Sequence, residues 1–232
     1  DSVRYDDRKR YRVNTISIAH NGIEAQSDFL EVCGGSETLS QICRAEQLVV
    51  LPGATLHPAG EGSRSYDLTQ ANDIRCLRRL IRERRPFHIH LSPVCRVFSQ
   101  AYHPRGDEDT DPNFLHDIKL AENIIELAHY IHTEQLHGCI EVPRGAHRFW
   151  KLERVFALKR LPGWFTIDLD GCMYGMRHPE TNLPTKKSWR FLTNAWYLTP
   201  LGVCCHGQHQ HTQLVGSQWT RWSQVYPREL CR

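Results

Sequence analysis

Short apolar runs alternate with stretches of helical periodicity along most of this chain. Phe29–Val32 is such a run, and it leads through Cys33-Gly34-Gly35-Ser36 into a helical pattern on Leu39, Ile42 and Cys43. This reads as strand, glycine turn and helix. Leu48–Leu51 is a second run, stopped by Pro52-Gly53, and Tyr66-Asp67-Leu68 reads as the end of another short strand. Asn72–Arg85 carries Ile74, Leu77, Leu80 and Ile81 at helical spacing, and Pro86 ends it. Phe87–Leu91 alternates as a strand does, and Ser92–Asp111 is a polar loop. Pro112–Gln135 gives the clearest helix, Cys139–Pro143 a strand and its exit, and Phe149–Leu158 a helix. Phe165–Leu169 and Trp189–Thr193 close the series as strands. Residues 1–27 are polar and charged and read as an N-terminal arm.

Alternating strand and helix patterns predict an α/β fold, a mostly parallel sheet with helices on both faces. Ligands of such sheets gather at the carboxyl ends of the strands. Those ends carry Gly34 and Gly35, Asp67, Cys95 and Glu141.

Composition narrows the class. The 232 residues are 40% hydrophobic and 24% charged, which excludes a disordered or coiled-coil chain, and no apolar run is long enough to span a membrane. A net charge of +3 does not by itself point to nucleic acid. The basic stretches Asp7–Arg12 and Arg75–Arg85 read as solvated faces ahead of phosphate-binding patches. Nine cysteines, an odd number scattered through a chain of this size, fit reduced thiols in an intracellular compartment, the nucleus included, better than a disulfide framework. A chain that opens on Asp1 without Met is expected to be a piece of a longer polypeptide.

Individual residues carry chemistry with alternatives attached. Gly34-Gly35 lets a ligand approach the backbone closely, or is a plain tight turn. Asp67 can accept from a ribose; Asp73 can meet an exocyclic amine or cap its helix. Cys95, beside Arg96 and ahead of a helix start, is placed to favour the reactive thiolate, or is structural. Glu141, half-buried before Pro143, is expected to hold its proton near neutrality, or is a surface glutamate. Cys205, His209 and His211, with Cys204 or His206, can bind zinc, or form an incidental polar loop. His88 and His90 read as structural or as neighbours of the site.

Taken in order, these pieces resemble the cytosine-5 DNA methyltransferase family. FLEVCGG resembles its glycine motif for S-adenosylmethionine, SPVCRVFS its Pro-Cys loop, IEVP its Glu-Asn-Val strand end, and MYGMR with KKSWRFLT its Tyr-Gly segment and arginine-rich strand. VYPRELC resembles its final motif. The chain is also similar to methyltransferase-like segments of mobile-element polyproteins. The resemblance implies a Rossmann-like methyltransferase fold over 28–232, with a short Cys/His-rich insert near 204–211. It implies Cys95 as nucleophile, Glu141 as catalytic acid and Arg190 as a further catalytic contact. It also implies a cofactor held by Phe29, Glu31, Gly34, Gly35, Asp67, Asp73 and Pro93. The implied partner is nucleic acid, DNA favoured over RNA, with no membrane.

The sequence departs from the family in three places. Val94 stands where proline is favoured before the cysteine, and Ser188 where a first arginine is expected, with Lys187 as a substitute charge. The stretch between Arg190 and Tyr226 is too short for a separate target-recognition domain, so target recognition is expected from elsewhere in the polypeptide or from a complex. The alternative to an enzyme is a catalytically degenerate binding module on the same fold, with a structural zinc.

Overall fold

The computed structural model describes residues 25–58, 64–99, 102, 107–214 and 216–231; the expected arm lies almost wholly outside them. The strands are β1 (Ser27–Val32), β2 (Pro86–Leu91), β3 (His137–Pro143), β4 (Phe165–Asp170) and β5 (Ser188–Thr193). The helices are α1 (Thr38–Ala45), α2 (Ala71–Arg84), α3 (Pro112–Thr133), α4 (His147–Trp150), α5 (Glu153–Lys159), α6 (Ser217–Trp222) and α7 (Arg228–Cys231). They form one five-stranded sheet in the order β1-β2-β3-β5-β4. β1, β2 and β3 are parallel, and β5 is antiparallel to both β3 and β4, so four of the five strands point one way. The mostly parallel sheet expected from the alternation is therefore present. Helical crossovers through α1–α2 and through α3 make the parallel pairs, as parallel neighbours require.

The two faces of the sheet are covered differently. Leu30, Val32, Ile89, Leu91, Ile140, Val142 and Leu192 pack with Ile74, Leu77 and Ile81 of α2, Ile124 and Ile131 of α3, and Val155 and Leu158 of α5. On the opposite face Cys139, Ile167, Leu169, Trp189 and Phe191 meet Met176 and Leu230 of α7. That face also carries α1, tied down through Ser40 to Glu31, as described below. A pleat sends alternate side chains to opposite faces, and β3 is buried on both, with Glu141 among its buried residues.

Three expectations need correction. Leu48–Leu51 is not a strand. It makes an isolated parallel bridge at Phe29–Val50, and a second at Val32–Ala54 is one residue out of register with the first. Pro52, with no N–H to give, and Gly53 interrupt what would be an edge strand. Tyr66–Leu68 is a loop, because Asp67 turns its carboxylate on Thr69 and folds the chain locally. Phe149–Leu158 is two helices: Trp150 is held by its indole N–H to the Pro143 carbonyl at 3.0 Å, and Leu152 takes an extended conformation before α5. Among the described residues no helix is long and apolar enough to cross a membrane.

Candidate functional site

Glu141 sits near the end of β3, directly across from Phe191, and so faces the side of the sheet closed by the C-terminal segment. Burial pushes its carboxyl up to about 7, against the Tyr226 hydroxyl, the Lys187 ammonium and the Ser92 hydroxyl, which favour the charged form. Tyr226 arrives from the turn between α6 and α7, and its hydroxyl also lies 3.0 Å from Nε2 of His90 on β2. Burial holds His90 down at about 4, so its ring is neutral near pH 7 and can either donate to or accept from the phenol. Glu141, Tyr226 and His90 thus form a buried row in which every hydrogen-bond direction can reverse when the carboxyl gains or loses a proton.

Cys95 closes the loop Ser92–Cys95 after β2, and its carbonyl starts a 3-10 turn, Arg96–Phe98. Its thiol is pushed up by burial and by the nearby Glu141, and Lys187 pulls it back down. The sequence expectation of a thiolate favoured by Arg96 and a helix start is corrected here. Arg96 turns away to grip the buried Asp117 of α3, at 3.1 Å and 2.9 Å, and a three-residue turn offers no helix end of consequence. The cation whose charge opposes that rise is Lys187, half-buried just before β5.

Arg190 does not join this group. The register pairs it with Val142, which places it on the opposite face of the sheet from Glu141. There it makes a two-pronged ion pair with Asp168, at 2.6 Å and 2.7 Å, and lies over the Trp150 ring. Ser188 is equally committed, donating its hydroxyl to Asp170. Glu141 and Lys187 thus act on Cys95 through their charges, while the Cys95 side chain packs against the α2–α3 side of the core and Arg190 is a strand-to-strand fastening.

The glycine loop is built tightly. Cys33, Gly35 and Glu37 all have positive φ, and Glu37 donates its N–H to Gly34. A side chain at Gly34 would stand 2.3 Å from Oε1 of Glu31, whereas one at Gly35 would meet nothing within 4 Å. Glu31 is buried, its Oε2 accepting from the N–H and hydroxyl of Ser40 at 2.9 Å and 2.5 Å. Burial raises its pKa, with repulsion from Glu37 adding to the rise.

For a cationic methyl donor, the open backbone at Gly35 and the two carboxylates behind it are suitable chemistry. The remaining expected contacts are not turned to a ligand. Phe29 is buried and stacked on His88, and Pro93 is buried. Asp73 accepts from Arg64 and from the N–H of Asp67, while Asp67 is spent on Thr69. Asp73 does not cap α2, whose N-cap position is Gln70 without a side-chain cap; from the first turn it instead holds the preceding loop through the Asp67 N–H and Arg64.

A second cluster lies beyond β4. Cys172, Cys205, His209 and His211 each bring a ligand atom within 4.8 Å of the others. The sequence reading had Cys204 or His206 as the fourth member. Instead Cys204 turns its sulfur to the Asp168 carbonyl at 3.3 Å, and His206 is exposed. Cys172 supplies the position from a separate part of the chain. No spacing motif links it to the others, and only the fold reveals it. Lys187, weighed only as a substitute charge, and Tyr226 gain their roles in the same way, by three-dimensional placement.

No family model matches the chain. No curated protein matches it either. Among solved structures it is similar to the Dnmt2 methyltransferase of S. pombe, with 12% identity, 85% of this chain and 65% of that chain covered, and a TM-score of 0.46. It is also similar to the Entamoeba histolytica methyltransferase EhMeth (13% identity, 84% and 58% covered, TM-score 0.42). A third is a DNMT2 variant of Spodoptera frugiperda (13% identity, 72% and 49% covered, TM-score 0.34). The chain spans between about half and two thirds of the length of these structures.

Proposed function

We propose that this chain is an S-adenosylmethionine-dependent methyltransferase that acts on carbon 5 of cytosine in nucleic acid, DNA ahead of RNA. One feature supports the reading: the charges of Glu141, near the end of β3, and of Lys187, just before β5, act on the Cys95 thiol after β2. They are far apart in sequence, and their chemistries complement one another. Cytosine carbon 5 is a weak nucleophile. Addition of the Cys95 sulfur to carbon 6, with a proton from Glu141 to ring nitrogen 3, makes carbon 5 enamine-like. A carboxyl at about 7 is a competent donor near neutrality, and ring nitrogen 3 returns the proton to Glu141 when the adduct breaks down. Lys187 stabilises the sulfur as it loses its own proton to water. Gly34-Gly35 would hold the cofactor, with Glu31 and Glu37 as counter-charge, and it would supply an electrophilic methyl group when bound. Loss of the carbon 5 proton to water then expels Cys95 as its thiolate. A base in a duplex must be turned out of the stack to reach Cys95, and target choice falls to another part of the polypeptide or to a partner.

The test uses the chain with radiolabelled S-adenosylmethionine and cytosine-containing DNA and RNA, and separately an oligonucleotide bearing 5-fluorocytosine. Because fluorine cannot leave as a proton does, the sulfur–carbon 6 bond should persist as a denaturation-resistant adduct, lost in Cys95→Ala. No transfer to either nucleic acid and no adduct would overturn the proposal.

A second reading, a module that binds the cofactor or nucleic acid without turnover, draws on the commitment of Arg190 and Ser188 to Asp168 and Asp170. Binding of S-adenosylhomocysteine in a calorimeter with no methyl transfer would select it.

A further inference from the structure

Residues 202–212 contain no buried side chain, yet three of their cysteines and histidines meet Cys172 at the exit of β4. Sγ of Cys205 lies 3.6 Å from Nε2 of His209 and 3.4 Å from Nε2 of His211. Zinc bonds of about 2.3 Å to sulfur and about 2.0–2.1 Å to nitrogen, arranged as a tetrahedron, put sulfur and nitrogen ligands about 3.5 Å apart. Cys205 already stands at that edge length from both histidines, and Cys172 brings its sulfur within 4.8 Å of all three. Two thiols and two imidazoles are also the donor set that zinc prefers.

We infer that Cys172, Cys205, His209 and His211 form a structural zinc site that clamps the 204–212 strap to the β4–β5 connection. Four protein ligands leave no open position, which makes the site structural rather than catalytic. The surroundings are organised as an outer shell. The N–H of Gly207 donates to Cys205 Sγ at 3.3 Å, in a turn that Gly207 permits through its positive φ. Buried Asp170 accepts from the Cys205 N–H at 2.8 Å and is flanked by Arg144 and Lys186, at 3.6 Å and 3.8 Å. Such second contacts orient ligands and tune sulfur. A strap without a core of its own gains its order from the metal, since binding energy at a site absent in the unfolded chain is folding energy.

The experiment measures metal in the tag-free chain, purified without chelator, and then titrates the stripped protein with cobalt(II). We expect one zinc per chain and the visible absorption of tetrahedral cobalt. Cys172→Ser and His209→Asn should each lose both signals, while Cys204→Ser keeps them. His209 is exposed, so its variant remains informative if Cys172→Ser does not fold. A folded chain that takes up neither metal overturns the site. So does metal lost from Cys204→Ser but retained in Cys172→Ser, or a Cys172–Cys205 disulfide in the native protein. These readouts are independent of methyl transfer.

Discussion

The hydroxyl of Tyr226 lies 3.0 Å from Nε2 of His90 and, on its other side, faces the carboxyl of Glu141. Removing it with Tyr226→Phe takes away a group that favours the carboxylate form, so the Glu141 carboxyl should rise further above 7. It also leaves the buried His90 nitrogen without this partner, which costs about 1–3 kcal/mol. The pH dependence of methyl transfer, or carboxyl infrared spectra across pH, should show the shift upward. No shift would mean that Tyr226 does not act on Glu141.

Glu141 should also make the fold pH-sensitive in a definite direction. Its folded value of about 7 is raised above the ordinary 4.5, so its contribution is fully present below about 4.5 and is lost as pH rises through 7. Glu141→Gln, which mimics the protonated form, should therefore be close to neutral at pH 5 and stabilising at pH 8, by an amount on the order of 3 kcal/mol. His88 and His90, held at about 3 and 4, act oppositely: their contribution is present above about 6.5 and is lost as pH falls through those values. Urea midpoints of both proteins at pH 5 and pH 8 separate the two effects, because the histidines are common to both.

Lys187 and Arg190 should part company under mutation. Lys187→Met removes the cation opposing the rise of the Cys95 thiol. Alkylation at Cys95, followed by peptide mass spectrometry at pH 8, should slow several-fold relative to the parent. Arg190→Ala should leave that rate unchanged and lower stability instead, by about 1–3 kcal/mol, through loss of a charge-assisted pair with Asp168. Equal effects of the two on the thiol would contradict the assignment of opposite faces.

The difference between those two residues shows what sequence could and could not supply. The elements were legible because their signals are local. Ile74, Leu77 and Ile81 repeat at helical spacing and become the buried stripe of α2, and Pro86 marks where it gives way to β2. The positions of Cys95 and Glu141 were legible for the same reason, since each follows or ends a strand. Which face Arg190 takes depends instead on the register of β5 against β3, a long-range property that no neighbouring residue encodes. Cys172 was hidden for a related reason, because its partners are brought to it by the path of the chain after β5. The break at Pro52-Gly53 was legible as a stop, but not that bridges to β1 would resume at Ala54.

Gly34 is a position where glycine is required by contact with another side chain. Any Cβ there would stand 2.3 Å from Oε1 of Glu31, whose other oxygen is fixed by Ser40, so the carboxylate cannot simply swing aside. Gly34→Ala should cost about 1–3 kcal/mol by overpacking, seen as a lower urea midpoint. Glu31→Gln keeps the volume and should not relieve the clash. Glu31→Ser removes the distal atoms, so the Gly34→Ala penalty measured in that background should shrink toward zero. At Gly35, open on all sides but with φ of +54°, alanine should be penalised by backbone strain alone, and Glu31→Ser should make no difference. A Gly34→Ala penalty of the same size in both backgrounds would show that the loop's conformation, and not the buried carboxylate, dictates glycine there.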